Sequence, residues 1–147
     1  MVLATGGNPF VPPMEGADLD GVFQIRNIED GKRVQEAMKD AKSAIVTGAG
    51  LIGIEIAFAL MMQGLDVTLS EMMPQIVPRS LDKDMSDILV KYLESEGINV
   101  VLGTPITKLI GDKHVEKACF GNDETVDADM VILATGVRAE LELARMI

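Results

Sequence analysis

The sequence predicts an α/β fold: a Rossmann-like parallel sheet flanked by helices, carrying a three-stranded antiparallel β-meander. Three observations predict it. Strand-like and helix-like segments alternate between residues 44 and 102. The turn after the first of these strands is glycine-rich and opens a helix. Short, partly alternating runs separated by turn residues then follow. The chain of 147 residues, 48% of them hydrophobic, is long enough for one domain with a real core.

Taken in order, Val2-Leu3-Ala4 is a short apolar run stopped by Thr5-Gly6-Gly7, and it reads as the end of a strand. Residues 8–21 hold Pro9, Pro12 and Pro13 and read as an irregular linker. Asn27 is a fitting N-cap for a helix over 28–41, with Glu29 and Asp30 in its first turn. Val34, Ala37, Met38 and Ala41 share one of its faces. Ala44-Ile45-Val46 is continuously apolar, as a strand covered on both sides should be. The helix after the glycine turn reads as buried and ends near Gly64. A second strand spans 66–70 and stops at Glu71; Pro74 and Pro78 mark 72–79 as a loop. Ser80 or Asp82 caps the next helix, whose Met85, Ile88, Leu89, Tyr92 and Leu93 fall on one face. Gly97 ends it, and 98–102 is a third strand. Residues 104–110, 115–120 and 124–128 form the meander, and 130–134 a last buried strand.

Several function classes are disfavoured. A formal charge of -10 opposes nucleic-acid binding, so any phosphate must be held by backbone N–H groups and local dipoles. Cys119 is the single cysteine, which rules out an internal disulfide and fits a reducing, cytoplasmic setting. No signal peptide is apparent, and the apolar stretch 51–62 contains Glu55 and is too short to span a membrane. His114, in a Gly-Asp-Lys-His turn, reads as a solvated loop residue, and Cys119 as a structural thiol; no metal-ligand cluster surrounds either.

The central constellation is Gly48-Ala49-Gly50-Leu51-Ile52-Gly53. It follows a buried strand, opens a helix, and is followed by an acidic residue, Glu71, at the end of the next strand. Gly48 permits the tight turn, Gly50 lets a pyrophosphate approach the backbone, and Gly53 lets helix and strand pack closely. The N–H groups at the helix start, those of Leu51 and Ile52 among them, face the phosphates. Glu71 would accept hydrogen bonds from the adenosine ribose and repel a 2′-phosphate, and no Arg or Lys follows it before Arg79, so NAD(H) is favoured over NADP(H). Glycines placed for packing alone, or an adenosyl-methionine site as in methyltransferases, are the alternatives; the third glycine favours a dinucleotide.

Four segments resemble the pyridine nucleotide-disulfide oxidoreductase flavoproteins. They are Leu3-Ala4-Thr5-Gly6-Gly7-Asn8-Pro9, the glycine turn with Thr47, Ile54 and Glu55, Val67-Thr68-Leu69-Ser70-Glu71, and residues 129–138 around Ala134-Thr135-Gly136. Within that superfamily the chain is most similar to NADH oxidases and coenzyme A-disulfide reductases, with rubredoxin and ferredoxin reductases close by. The resemblance implies that 1–22 is a crossover linker and the edge of an FAD domain, and that 23–147 is the NAD(H)-binding domain. It implies Gly136 near the nicotinamide, and Glu55 near nicotinamide and flavin; as a charge on an apolar helix, Glu55 should also have a partner. Many members carry an aromatic where Leu51 stands. FAD would belong to the full-length enzyme only, with the FAD and C-terminal domains as covalent partners. No catalytic residue is expected in this chain, and the isolated piece should be inactive. The alternative is a stand-alone NAD-sensing module.

Overall fold

The computed structural model describes residues 2–146; Met1 and Ile147, the outer ends of the two expected segments, lie outside the described residues. The elements are β1 (Gly7–Pro9), β2 (Val22–Phe23), α1 (Ile28–Ala37), β3 (Ser43–Thr47), α2 (Leu51–Met62), β4 (Asp66–Glu71), α3 (Lys83–Ser95), β5 (Asn99–Leu102), β6 (Ile106–Ile110), β7 (Lys117–Phe120), β8 (Thr125–Asp127), β9 (Met130–Leu133), β10 (Val137–Ala139) and α4 (Glu142–Arg145).

The main sheet is five-stranded and all parallel, in the order β2-β9-β3-β4-β5. From central β3 the chain steps to β4 and β5 on one side, then returns to β9 on the other. That reversal opens a crevice at the carboxyl ends of β3 and β9, where such sheets place ligands. Successive side chains alternate between the two faces. Ala44, Val46, Val67, Leu69, Met130 and Ile132 point into a core with Val34 of α1, Ala57 and Leu60 of α2 and Leu93 of α3. Ile45, Val131 and Leu133 point the other way, onto Leu109, Val115, Ala118 and Phe120. The meander β6-β7-β8 therefore covers the face where a doubly wound fold would carry more helices. Among the described residues, no helix is long and apolar enough to cross a membrane.

Asn27 caps α1 as a reciprocal box: its side chain accepts the Asp30 N–H at 2.9 Å, and the Asp30 carboxylate accepts the Asn27 N–H at 3.0 Å. The Asp30 carboxylate also takes the Arg26 N–H, and this, with Arg33 beside it, holds its pKa below the usual carboxylate value. The helix ends at Ala37 rather than 41. The Asp129 carboxylate accepts the N–H groups of Lys42 and Ser43 at 2.8 and 2.9 Å, which fixes the start of β3.

Three further expectations need correction. Residues 2–4 form no strand; the strand lies at β1, paired antiparallel with β10, a partner too distant in sequence to show in a local pattern. The helix in the glycine segment is not buried all round: Gly53, Ala57 and Leu60 are buried, while Leu51, Ile52 and Met62 are exposed. On α3, capped by Asp82 rather than Ser80, Met85, Ile88 and Tyr92 are at least half exposed and Ser86 is fully buried. Ser86 is drawn inward because its Oγ accepts the Ile76 N–H at 3.1 Å. The short elements β2, β10 and α4 carry too few residues for any periodicity.

Candidate dinucleotide site

The site is assembled where β3, β4 and β9 end. Gly48 leaves β3 with φ +101, a left-handed backbone, and a Cβ there would lie 2.4 Å from the Ala134 carbonyl oxygen. A side chain is thus excluded twice over, by conformation and by the neighbouring strand end. At Gly53 a Cβ would lie 1.9 Å from the Gly48 oxygen, so its absence lets α2 sit close against the turn. Gly50 is different. Its φ of -77 suits any residue, and a Cβ there would meet nothing within 4 Å. The folded chain alone gives no reason for glycine at this position, whereas a bulky group approaching from outside would.

Gly50 is also the N-cap of α2, and no side chain caps that helix. By contrast Asn27 caps α1 and Asp82 caps α3. The start of α2 has no acidic residue in its first turn either, so its N–H groups and the positive end of its dipole lie open to an incoming anion.

Glu71, at the end of β4, reaches the same turn. One carboxylate oxygen accepts the Ala49 N–H at 2.9 Å and the other the Met73 N–H at 2.9 Å. Two N–H bonds leave part of the carboxylate's four-fold acceptor capacity for further donors. Met73 is tied in turn through its carbonyl, which accepts the Gly103 N–H at 3.0 Å, and the Ala49 carbonyl accepts the Val77 N–H at 2.9 Å. The glycine turn, the β4 end and the loop over 72–81 therefore form one hydrogen-bonded frame. Beside it, Met72 and Met73 present exposed apolar surface.

On the β9 side, Gly136 has φ +100 and is exposed, and Thr135 Oγ1 donates to the Phe10 carbonyl at 2.5 Å. Leu51 and Ile52 are exposed in the first turn of α2, with Glu55 exposed one turn on. The structure thus brings Gly48, Gly50, Leu51, Ile52, Gly53 and Glu71 to one turn, with Ala134 of the β9 end against Gly48. Glu55 needs no partner here: its side chain is exposed, so its charge carries no burial cost.

His114 is exposed, but it is more than a solvated turn residue. Its Nε2 lies 2.7 Å from the Asp129 carbonyl, and its ring packs where a Gly21 side chain would otherwise go. Cys119 is half-buried in the meander. Among the described residues, no group of His, Cys, Asp and Glu is arranged to hold a metal ion. The residue that sequence reasoning missed is Val77. A valine with φ 46 leaves no trace in a sequence, because that backbone conformation is normally left to glycine or asparagine.

Comparison with known proteins bears on this geometry. The family model for pyridine nucleotide-disulphide oxidoreductases matches residues 1–146. An NADH oxidase of Methanocaldococcus jannaschii is 51% identical over 147 residues, covering 99% of this chain and 33% of that protein. The solved structure of a water-forming NADH oxidase from Lactobacillus brevis, bound to NADH, superposes with a TM-score of 0.89 at 29% identity, over 96% of this chain and 31% of that one. Its engineered mutant, a water-forming NADPH oxidase bound to NADPH, matches with a TM-score of 0.89 at 27% identity, again over 96% and 31%. The chain therefore spans about a third of the length of these relatives.

Proposed function

Because this chain belongs to the pyridine nucleotide-disulphide oxidoreductase family, we propose that residues 23–147 are the NAD(H)-binding domain of an FAD-dependent, NADH oxidase-like enzyme. In this reading residues 1–22 form the crossover to an FAD domain, and the β1–β10 pair is where the chain enters and leaves. The observation that carries the reading is Gly50: a side chain there would meet only open space, directly before an uncapped helix start.

The chain's own residues fit the nucleotide. The N–H groups at the start of α2, from Leu51 onward, hold the pyrophosphate, and the bare Gly50 backbone admits it. This local arrangement suits a protein of charge -10, which offers no general attraction to phosphate. Glu71 accepts the adenosine ribose hydroxyls on the part of its carboxylate not taken by Ala49 and Met73. On the resemblance, Gly136 and Glu55, both exposed, would lie toward the nicotinamide end. When bound, NADH would supply a hydride from its nicotinamide to FAD held by the rest of the whole protein. On the resemblance, the acceptor of the next step would be oxygen or a disulfide.

The preference for NADH rests on Glu71. The engineered NADPH oxidase carries substitutions at a glycine, an aspartate, the two residues after it and a proline. Those five sites have the same spacing as Gly53, Glu71, Met72, Met73 and Pro78. In that protein an arginine was introduced directly after the lost aspartate, whereas here the residue after Glu71 is Met72. A carboxylate facing the ribose and no cation beside it disfavours a 2′-phosphate.

The test is titration of this chain with NADH and NADPH, with Glu71→Ala alongside. NADH should bind more tightly than NADPH, and Glu71→Ala should remove most of that difference. Equal affinities in the unaltered chain would overturn the reading of Glu71; no binding of either nucleotide would overturn the site. The purified chain should carry no flavin, and stoichiometric FAD would contradict the proposed division of domains.

A further inference from the structure

We infer that Val77 is a positioning residue of this site: its backbone N–H holds the Ala49 carbonyl turned out of the space that the pyrophosphate takes. The inference rests on the nucleotide reading above and adds to it the part that shapes the anion's surroundings.

A peptide unit is planar and, among the described residues, always trans, so fixing one of its polar atoms fixes the other. The Ala49–Gly50 peptide leads into Gly50, the N-cap of α2. Were it to rotate, its carbonyl oxygen would point into the space beside Gly50 and set a partial negative charge against a phosphate. Val77 prevents this by donating its N–H to that oxygen at 2.9 Å. The preceding peptide is held from the other side, where Glu71 accepts the Ala49 N–H at 2.9 Å. Both polar atoms of Ala49 are thus committed, and the turn cannot flip without breaking a bond.

The donor is itself held under strain. Val77 has φ 46, a left-handed conformation that a β-branched side chain strongly resists, and it is 5% exposed. Such strain persists only where the surroundings over-determine it. Here they do. The Ile76 N–H is anchored on Ser86 Oγ of α3, at 3.1 Å. The Val77 carbonyl accepts the Ser80 and Leu81 N–H groups at 3.0 and 3.1 Å. Both side chains are buried in the helix-side core. The left-handed turn sets how the chain leaves Val77, so that its N–H faces Ala49 while its carbonyl receives Ser80 and Leu81.

The experiment compares Val77→Pro, which removes the donor and, by fixing φ at about -65°, the left-handed turn as well, with Val77→Gly, which keeps both, and with Leu109→Ala, a variant in the core on the opposite face of the sheet. NADH affinity and melting temperature are measured for each. Val77→Pro should weaken NADH binding by about tenfold or more, the loss expected when a hydrogen bond organising a charged site goes. Val77→Gly should restore most of that loss although its melting temperature is lowered by the missing side chain. Leu109→Ala should lower the melting temperature and leave NADH affinity as it was, which separates positioning from mere stability. Val77→Pro binding NADH like the unaltered chain would overturn the inference. Should Val77→Pro fail to fold, amide hydrogen exchange on the unaltered chain decides. A Val77 N–H protected well beyond its exposed loop neighbours supports the clamp, and one that exchanges at loop rates overturns it. An unaltered chain that binds no NADH sinks the nucleotide reading itself, whatever the exchange at Val77 shows.

Discussion

Gly50 and Gly53 belong to one short motif, yet alanine should act on them in opposite ways. At Gly53 the new methyl would start 1.9 Å from the Gly48 oxygen, well inside contact distance. The helix must lift off the turn, and overpacking of this kind costs about 1–3 kcal/mol or more. At Gly50 the methyl meets no protein atom within 4 Å, and φ is -77. The alanine loses a little as an N-cap but reduces the freedom of the unfolded chain, two terms of about 0.5 kcal/mol each that oppose one another. Gly50→Ala should therefore leave the melting temperature within about 2 °C of the unaltered protein. Binding should behave otherwise. In the proposed reading the methyl stands where the pyrophosphate approaches, and loss of one charge-assisted hydrogen bond is worth about 1.5–3 kcal/mol, or roughly tenfold to a hundredfold in affinity. Thermal melts beside NADH titrations read both quantities. If Gly50→Ala binds NADH undiminished, the argument that open space at this glycine serves a ligand is wrong.

Other perturbations follow from the same structure. Asp129 is held below its ordinary pKa, first by the Lys42 N–H and then, against the opposing effect of partial burial, by the Ser43 N–H and hydroxyl. Its folded value lies below the unfolded 3.8, so its stabilising effect is full above that pH and fades as pH falls through the folded value. Asp129→Asn should accordingly lower stability at neutral pH, and chemical denaturation should find the difference between the two proteins shrinking as pH falls through the folded pKa of Asp129. Ser86→Ala leaves the buried Ile76 N–H without its acceptor and should cost about 1–3 kcal/mol, while Ile88→Lys on the exposed side of the same helix should stay within about 0.5 kcal/mol. NADH affinity should hold or rise between about 20 mM and about 200 mM salt, because screening weakens the repulsion from the overall -10 charge more than the close helix-end contacts; a steep fall would mean a basic patch carries the binding.

What could be read from the residues follows from the range of the forces involved. The β3-turn-α2-β4 unit was legible because each part leaves a local mark: continuous apolar residues for a strand buried on both faces, glycines where backbones touch, an acid at the next strand end. The capping box at Asn27 was half-legible; Asp30 was placed in the first turn, but its reciprocal bond to the Asn27 N–H shows only in three dimensions. The face of α3 was misjudged because periodicity counts apolar residues and ignores polar ones that have a buried partner. Ser86 is pulled in by Ile76, which rotates Met85 and Ile88 toward solvent. The β1–β10 pairing was invisible, since its two strands of three residues each come from opposite ends of the chain.

The same distinction explains how one carboxylate comes to have two jobs. Read from sequence, Glu71 is a ribose acceptor and nothing else. In the fold it already receives two backbone N–H groups, from Ala49 and Met73, with no ligand needed. A carboxylate fixed in this way loses little conformational entropy when a sugar hydroxyl arrives, because its rotamer is set beforehand. That preorganisation has a consequence for substitution. Glutamine at this position keeps one acceptor oxygen but turns an N–H₂ group toward a backbone N–H, so it must either rotate or release Ala49 or Met73. In the proposed reading the ribose contact and the shape of the glycine turn are therefore coupled, and neither can be altered through Glu71 without disturbing the other.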